Sequence, residues 1–160
     1  LHNTTETLVT PLGFVAALKF FEQKNDQKNE QNIKNFIQYY KTFSLELNLL
    51  ERDIKRLSEK TPPTLLCNEL YETRALDKYP IYRRSLEITL KPYDRCVAEE
   101  AVITSDLMYW KYFDQVLALY EKSGDLKTLI EEMKNAPGKQ DELEKFLDEL
   151  YKKYSAATAK

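Results

Sequence analysis

The sequence predicts an all-α fold, a single-domain bundle of five to seven helices around a central helix rich in Tyr and Leu. Three observations carry that expectation. Apolar residues recur at spacings of three and four along most of the 160 residues. The 6 prolines fall mostly between those runs, where helices start or stop. The one strand-like alternation, Leu86, Ile88 and Leu90, faces only Thr7 to Val9 as a faint partner, and a lone strand cannot satisfy its own amides. At 42% apolar and 31% charged residues, the chain is long enough to bury a substantial core.

Taken in order, Thr10 followed by Pro11 reads as the first turn of a helix that runs to about Asn25. Phe14, Val15, Leu18, Phe20 and Phe21 spread round most of its circumference, which implies burial on more than one side. The stretch Asn25 to Gln31 contains no apolar residue and reads as a loop. A long helix from about Ile33 to Lys60 follows, with Phe36, Tyr40, Phe43, Leu47, Leu50, Ile54 and Leu57 on one heptad seam. That seam is expected to pack inside the monomer, since other amphipathic helices are present to fill it.

Thr61, Pro62, Pro63 and Thr64 end that helix and begin another, with Leu66, Leu70 and Tyr71 inward. Ile81 to Leu90 is read as helix or extended linker. Between Pro92 and Ser123 lies the most apolar run, read as one central helix. Gly124 supplies a left-handed cap, and Asp125 opens a short helix carrying Leu126, Leu129, Ile130 and Met133. After Pro137 and Gly138, Leu143, Leu147, Leu150 and Tyr154 repeat the heptad spacing. Residues 1–154 are read as the domain and 155–160 as a flexible tail.

The composition removes several function classes. The 3 glycines are isolated, so the clustered glycine of a phosphate loop or dinucleotide fingerprint is missing. Twenty-four Lys and Arg against 26 Asp and Glu give a net charge of -2, without the basic field that nucleic-acid binding requires. The single His2 leaves no second imidazole for a metal cluster and no base for a Ser or Cys nucleophile. Glu99 and Glu100 point about 100° apart on a helix and do not converge as an acid–base pair. No apolar run approaches the ~20 residues of a bilayer span. No cofactor and no metal are expected. Because the chain opens on Leu1 rather than Met, an upstream segment is expected to have been removed.

Four features remain as candidates for function. Cys67 and Cys96 bracket the proline-bounded segment Tyr79 to Pro92 and read as a disulfide, which would add about 3.5 kcal/mol in the chain-entropy view. Arg74, Lys78, Arg83, Arg84, Lys91 and Arg95 outnumber Asp77, Glu87 and Asp94 in the same region, with Tyr79, Tyr82 and Tyr93 interleaved. Arginine forks grip carboxylates and phosphates and stack on rings, so Arg83, Arg84, Tyr79 and Tyr82 form a candidate surface for an acidic partner or phosphate. Asp106 falls inside an apolar arc and needs a partner or a raised pKa, with Arg83, Arg84 or a ligand cation the expected partner and Trp110 beside it. Lastly, an Asn3-Thr4-Thr5 sequon opens the chain.

An offset of 34 aligns Lys111 to Tyr120 with Lys145 to Tyr154, the period of tetratricopeptide units, but no third unit matches upstream at Ala75 to Pro80. The functional expectation is therefore a non-enzymatic binding or structural protein with a protein partner, secreted or periplasmic if the disulfide forms. The alternatives are a cytoplasmic helical adaptor, coiled-coil or tetratricopeptide-like, and a carrier of a small apolar ligand.

Overall fold

The computed structural model describes residues 3–60, 75–90 and 95–158, with side chains for 6–60, 76–89 and 101–157. Among them are seven α-helices and one 3₁₀ turn: α1 (Asn3–Gln23), α2 (Gln27–Ser58), the 3₁₀ turn Ala75–Lys78, α3 (Pro80–Leu90), α4 (Arg95–Trp110), α5 (Phe113–Ser123), α6 (Leu126–Met133) and α7 (Gln140–Thr158). The fold is an all-α bundle. The helix expected around Leu66 to Tyr71, the Cys67–Cys96 pairing, and Arg74, Lys91 and Tyr93 lie outside the described residues or side chains.

Helix α1 begins at Asn3, well before Thr10, and Pro11 sits inside it. The Thr–Pro pair resembles a first turn, yet the ring of Pro11 is fully buried and the Thr10 hydroxyl donates to the Glu6 carbonyl at 3.0 Å. Packing of the ring offsets the missing amide donor. At the other end Asn25 takes a positive φ of 53°, and the Asp26 amide reaches back to the Phe21 carbonyl at 3.1 Å. This left-handed cap reverses the chain in three residues.

The expected loop Asn25 to Gln31 is consequently mostly helix. Asp26 caps α2, accepting from the Asn29 amide at 3.2 Å, and the following turns are polar because water surrounds them. Phe43, Leu47 and Leu50 of the α2 seam are buried against Leu76, Tyr79, Tyr82 and Leu86. Tyr40, Ile54 and Leu57 pack against the same cluster, whereas Phe36 is 53% exposed. Most of the heptad seam is thus filled within the chain.

Residues 80–90 are helix: Leu86 is buried and Ile88 exposed, so the apparent alternation was one turn of an amphipathic surface. The single central helix expected over 92–123 is two helices, broken at Lys111 and Tyr112. A second core joins Leu8 and Leu12 of α1 to Tyr112, Val116 and Leu119, to Leu129 and Met133, and to Leu143, Leu147 and Leu150. Between the two cores lies an aromatic seam of Phe14, Tyr40, Trp110 and Phe113 around Val15 and Leu117. The Gly124 cap has φ 65°, and Asp125 accepts from the Lys127 and Thr128 amides at 3.0 and 3.3 Å, as the sequence implies. Helix α7 runs on through the expected tail to Thr158, and Ser155 donates to the Tyr151 carbonyl at 2.7 Å.

Candidate functional site

The candidate surface is divided between core and solvent. Pro80 starts α3 and directs Tyr82 inward, where it is 0% exposed against Phe43. Tyr79 is buried too, and its hydroxyl donates to Asp53 Oδ2 at 2.8 Å. Burial, reinforced by that carboxylate, pushes the Tyr79 phenol up to about 12. Neither ring is available to stack on Arg83 or Arg84 at the surface. Trp110 lies flat on Tyr40, with ring centroids 3.9 Å apart and planes 3° from parallel, so it belongs to the aromatic seam.

Asp106 finds its donor in Tyr82, whose hydroxyl reaches Oδ2 at 3.0 Å. The expected arginine partner is not used. Arg83 pairs with Asp77 and Glu87 on the exposed flank of α3, because positions 82 and 83 diverge by about 100° on the helix and an inward Tyr82 sends Arg83 outward. Burial raises the Asp106 carboxyl above its ordinary value, and the Tyr82 hydrogen bond only partly opposes this. The same burial, with the Asp106 charge, raises the Tyr82 phenol. In this pair Tyr82 is fully buried and Asp106 partly so.

What remains accessible is the outer face of α3. Arg84 is exposed and has no ion-pair partner among the described residues. One turn on lies Ile88, 63% exposed, and Arg83 flanks them.

A second polar centre, not anticipated from the sequence, sits at the α4–α5 break. There the Lys111 carbonyl accepts from Asn48 Nδ2 at 2.8 Å and from Ser44 Oγ at 3.3 Å. The Tyr112 amide, which a continuous helix would have used, points to Thr7 Oγ1 at 3.4 Å. Lys111 Nζ, on a side chain 10% exposed, meets Glu51 at 3.0 Å and Glu144 at 3.5 Å. Tyr112 donates to Glu144 at 3.0 Å, and burial followed by that carboxylate raises its phenol. For Glu51, burial works upward, but hydrogen bonds from Lys111 and Lys55 outweigh it and hold the carboxyl below its usual range. The signal in the sequence was a lysine between Trp110 and Tyr112, with Ser44 and Asn48 one turn apart beside the seam.

Each polar group of this centre has its partner within the fold. Among the described residues no three His, Cys, Asp or Glu side chains converge as a metal site, and no helix is long and apolar enough to cross a membrane. A solvent-open groove of about 590 Å³ lies along α6, lined by Asp125, Lys127, Thr128, Glu131, Glu132 and Asn135. Its charged wall is unlike the apolar enclosure that holds a small apolar ligand. Compared with models of protein families, with curated proteins and with solved structures, the chain matches none.

Proposed function

We propose that the chain is a non-enzymatic helical binding protein that engages an acidic protein partner through the outer face of α3. The observation that carries this reading is the pairing of Arg84 with Ile88. A guanidinium without an ion-pair partner among the described residues stands one turn from the most exposed large aliphatic side chain described. Arginine beside an apolar anchor suits a carboxylate-bearing surface, the fork fixing the carboxylate and the anchor excluding water. By contrast Lys111, Glu51, Tyr82 and Asp106 are spent on one another, which favours binding over catalysis.

An acidic peptide probe, oligoglutamate interrupted by two leucines, tests it by fluorescence anisotropy. Arg83→Gln/Arg84→Gln is expected to weaken binding at least tenfold and flatten its salt dependence, while Arg84→Gln alone changes stability by less than about 0.5 kcal/mol. No saturable binding by the parent chain, or equal binding by the double variant, overturns the proposal. A setting outside the cytoplasm is part of the reading and rests on a Cys67–Cys96 bond. Denatured, unreduced protein is expected to show no titratable thiol, and two thiols would remove that setting.

A further inference from the structure

Helix α1 is apolar on two sides, and among the described residues the fold covers only one. Its inner side carries Leu8, Pro11, Leu12 and Val15, all buried. Its outer side carries Glu6, Val9, Gly13, Ala16, Phe20, Gln23 and Lys24, all exposed, with Val9 at 55% and Phe20 at 53%. At 100° per residue these outer positions occupy an arc of only about 100°. From Thr7 to Leu18 there is no charged residue at all. A helix that is apolar all round is ordinarily covered all round.

We infer that this face is the seam of a two-fold, antiparallel dimer in which α1 of one copy lies on α1 of a second. The occupant follows from the order of residues along the stripe. The spacing 6, 9, 13, 16, 20, 23 alternates three and four, the period of a helix–helix seam, and it reads the same from either end. Run antiparallel, Val9 meets Phe20 of the other copy, Gly13 meets Ala16, and Glu6 meets the Gln23–Lys24 end. Large side chains oppose each other at the two ends, small ones lie at the centre where the backbones approach, and opposite charges meet at both margins.

Those charges are otherwise unused. Neither the Glu6 carboxylate nor the Lys24 ammonium has an ion-pair partner among the described residues, and Lys24 Nζ lies 5.8 Å from the Phe20 ring. A self-complementary patch is what an isologous interface requires. One helix pair is small beside a standard interface, so dimerisation is expected at about 10–100 μM. The seam is separate from the α3 face, and neither proposal depends on the other.

Sedimentation equilibrium of the intact chain decides it. The mass is expected to rise from 18.9 kDa toward twice that value as concentration increases. Ala16→Glu should hold it at the monomer value with an unchanged unfolding temperature. Gly13→Leu offers an independent block, since a Cβ at Gly13 meets nothing within 4 Å in the monomer. Glu6→Lys is expected to weaken association at least fivefold at low salt, and Glu6→Lys/Lys24→Glu to restore it. A chain that stays monomeric throughout the range, whether the face is bare, covered by residues 61–74 or kept for another protein, overturns the inference. So does a dimer that survives both Ala16→Glu and Gly13→Leu.

Discussion

Leu47→Asp and Leu50→Asp are each expected to leave the chain unfolded at room temperature. Both leucines are 0% exposed on the α2 seam, inside the cluster with Phe43, Leu76, Tyr82 and Leu86. The two leucines are surrounded there by apolar and aromatic side chains, so an aspartate would be ionised at high cost or forced neutral. Either outcome costs several kcal/mol, added to the lost burial of a leucine, against a total stability of about 5–15 kcal/mol. The controls lie on the same helix. Leu45 and Leu49 are 51% and 44% exposed, and Leu45→Asp or Leu49→Asp should shift stability by less than about 1 kcal/mol. Circular dichroism with urea titration separates the two classes. A folded Leu47→Asp that changes only its oligomeric state would assign the seam to another chain and restore the adaptor reading.

Lys111→Met is expected to cost about 2–3 kcal/mol, although methionine fills much of the same space. The loss comes from what is left behind. Glu51, only 17% exposed, would keep Lys55 as its remaining ion partner, and that lysine is 69% exposed. Glu144 is 52% exposed and contributes little to the difference. Lys111→Met/Glu51→Leu should recover most of the stability, because an apolar pair replaces a buried ionic one at little net cost. A double-mutant cycle in urea measures the coupling. Additive losses would mean that Lys111 and Glu51 do not stabilise each other.

The helical class was legible because the seams of α2 and α7 are long and regular, and α6 was legible because Gly124 and Asp125 are strong local signals. The start of α1 and the break at Lys111 were not. Both depend on groups far along the chain: Pro11 is accepted because its ring is buried in the core, and the Tyr112 amide is released because Thr7 receives it. Local preference ranks such positions by their neighbours in sequence and cannot see those partners. The candidate surface divided for the same reason. Charge and aromatic content between Tyr79 and Trp110 were read as one patch, whereas the helical period turned Tyr79, Tyr82 and Asp106 inward and left Arg83, Arg84 and Ile88 outside. The outer stripe of α1 was visible in the sequence as apolar residues on every side, but only the fold shows which side is bare.

Helix α2 also serves as a ruler for the chain. Within ten residues, Ser44 and Asn48 close the end of α4, Glu46 Oε2 receives the Tyr82 amide at the start of α3 at 2.8 Å, Glu51 holds Lys111, and Asp53 receives Tyr79. Each address is an angle as well as a height. Inserting or deleting one residue ahead of Ser44 would rotate every later position by about 100° relative to α1, taking all five away from their recipients together and turning Leu47 and Leu50 out of the core. Point substitutions can remove these contacts singly, but a change of length removes them as a set. Within the described chain, length variation among descendants of this sequence therefore belongs at the turns after Gln23 and Met133, while α2 keeps its residue count.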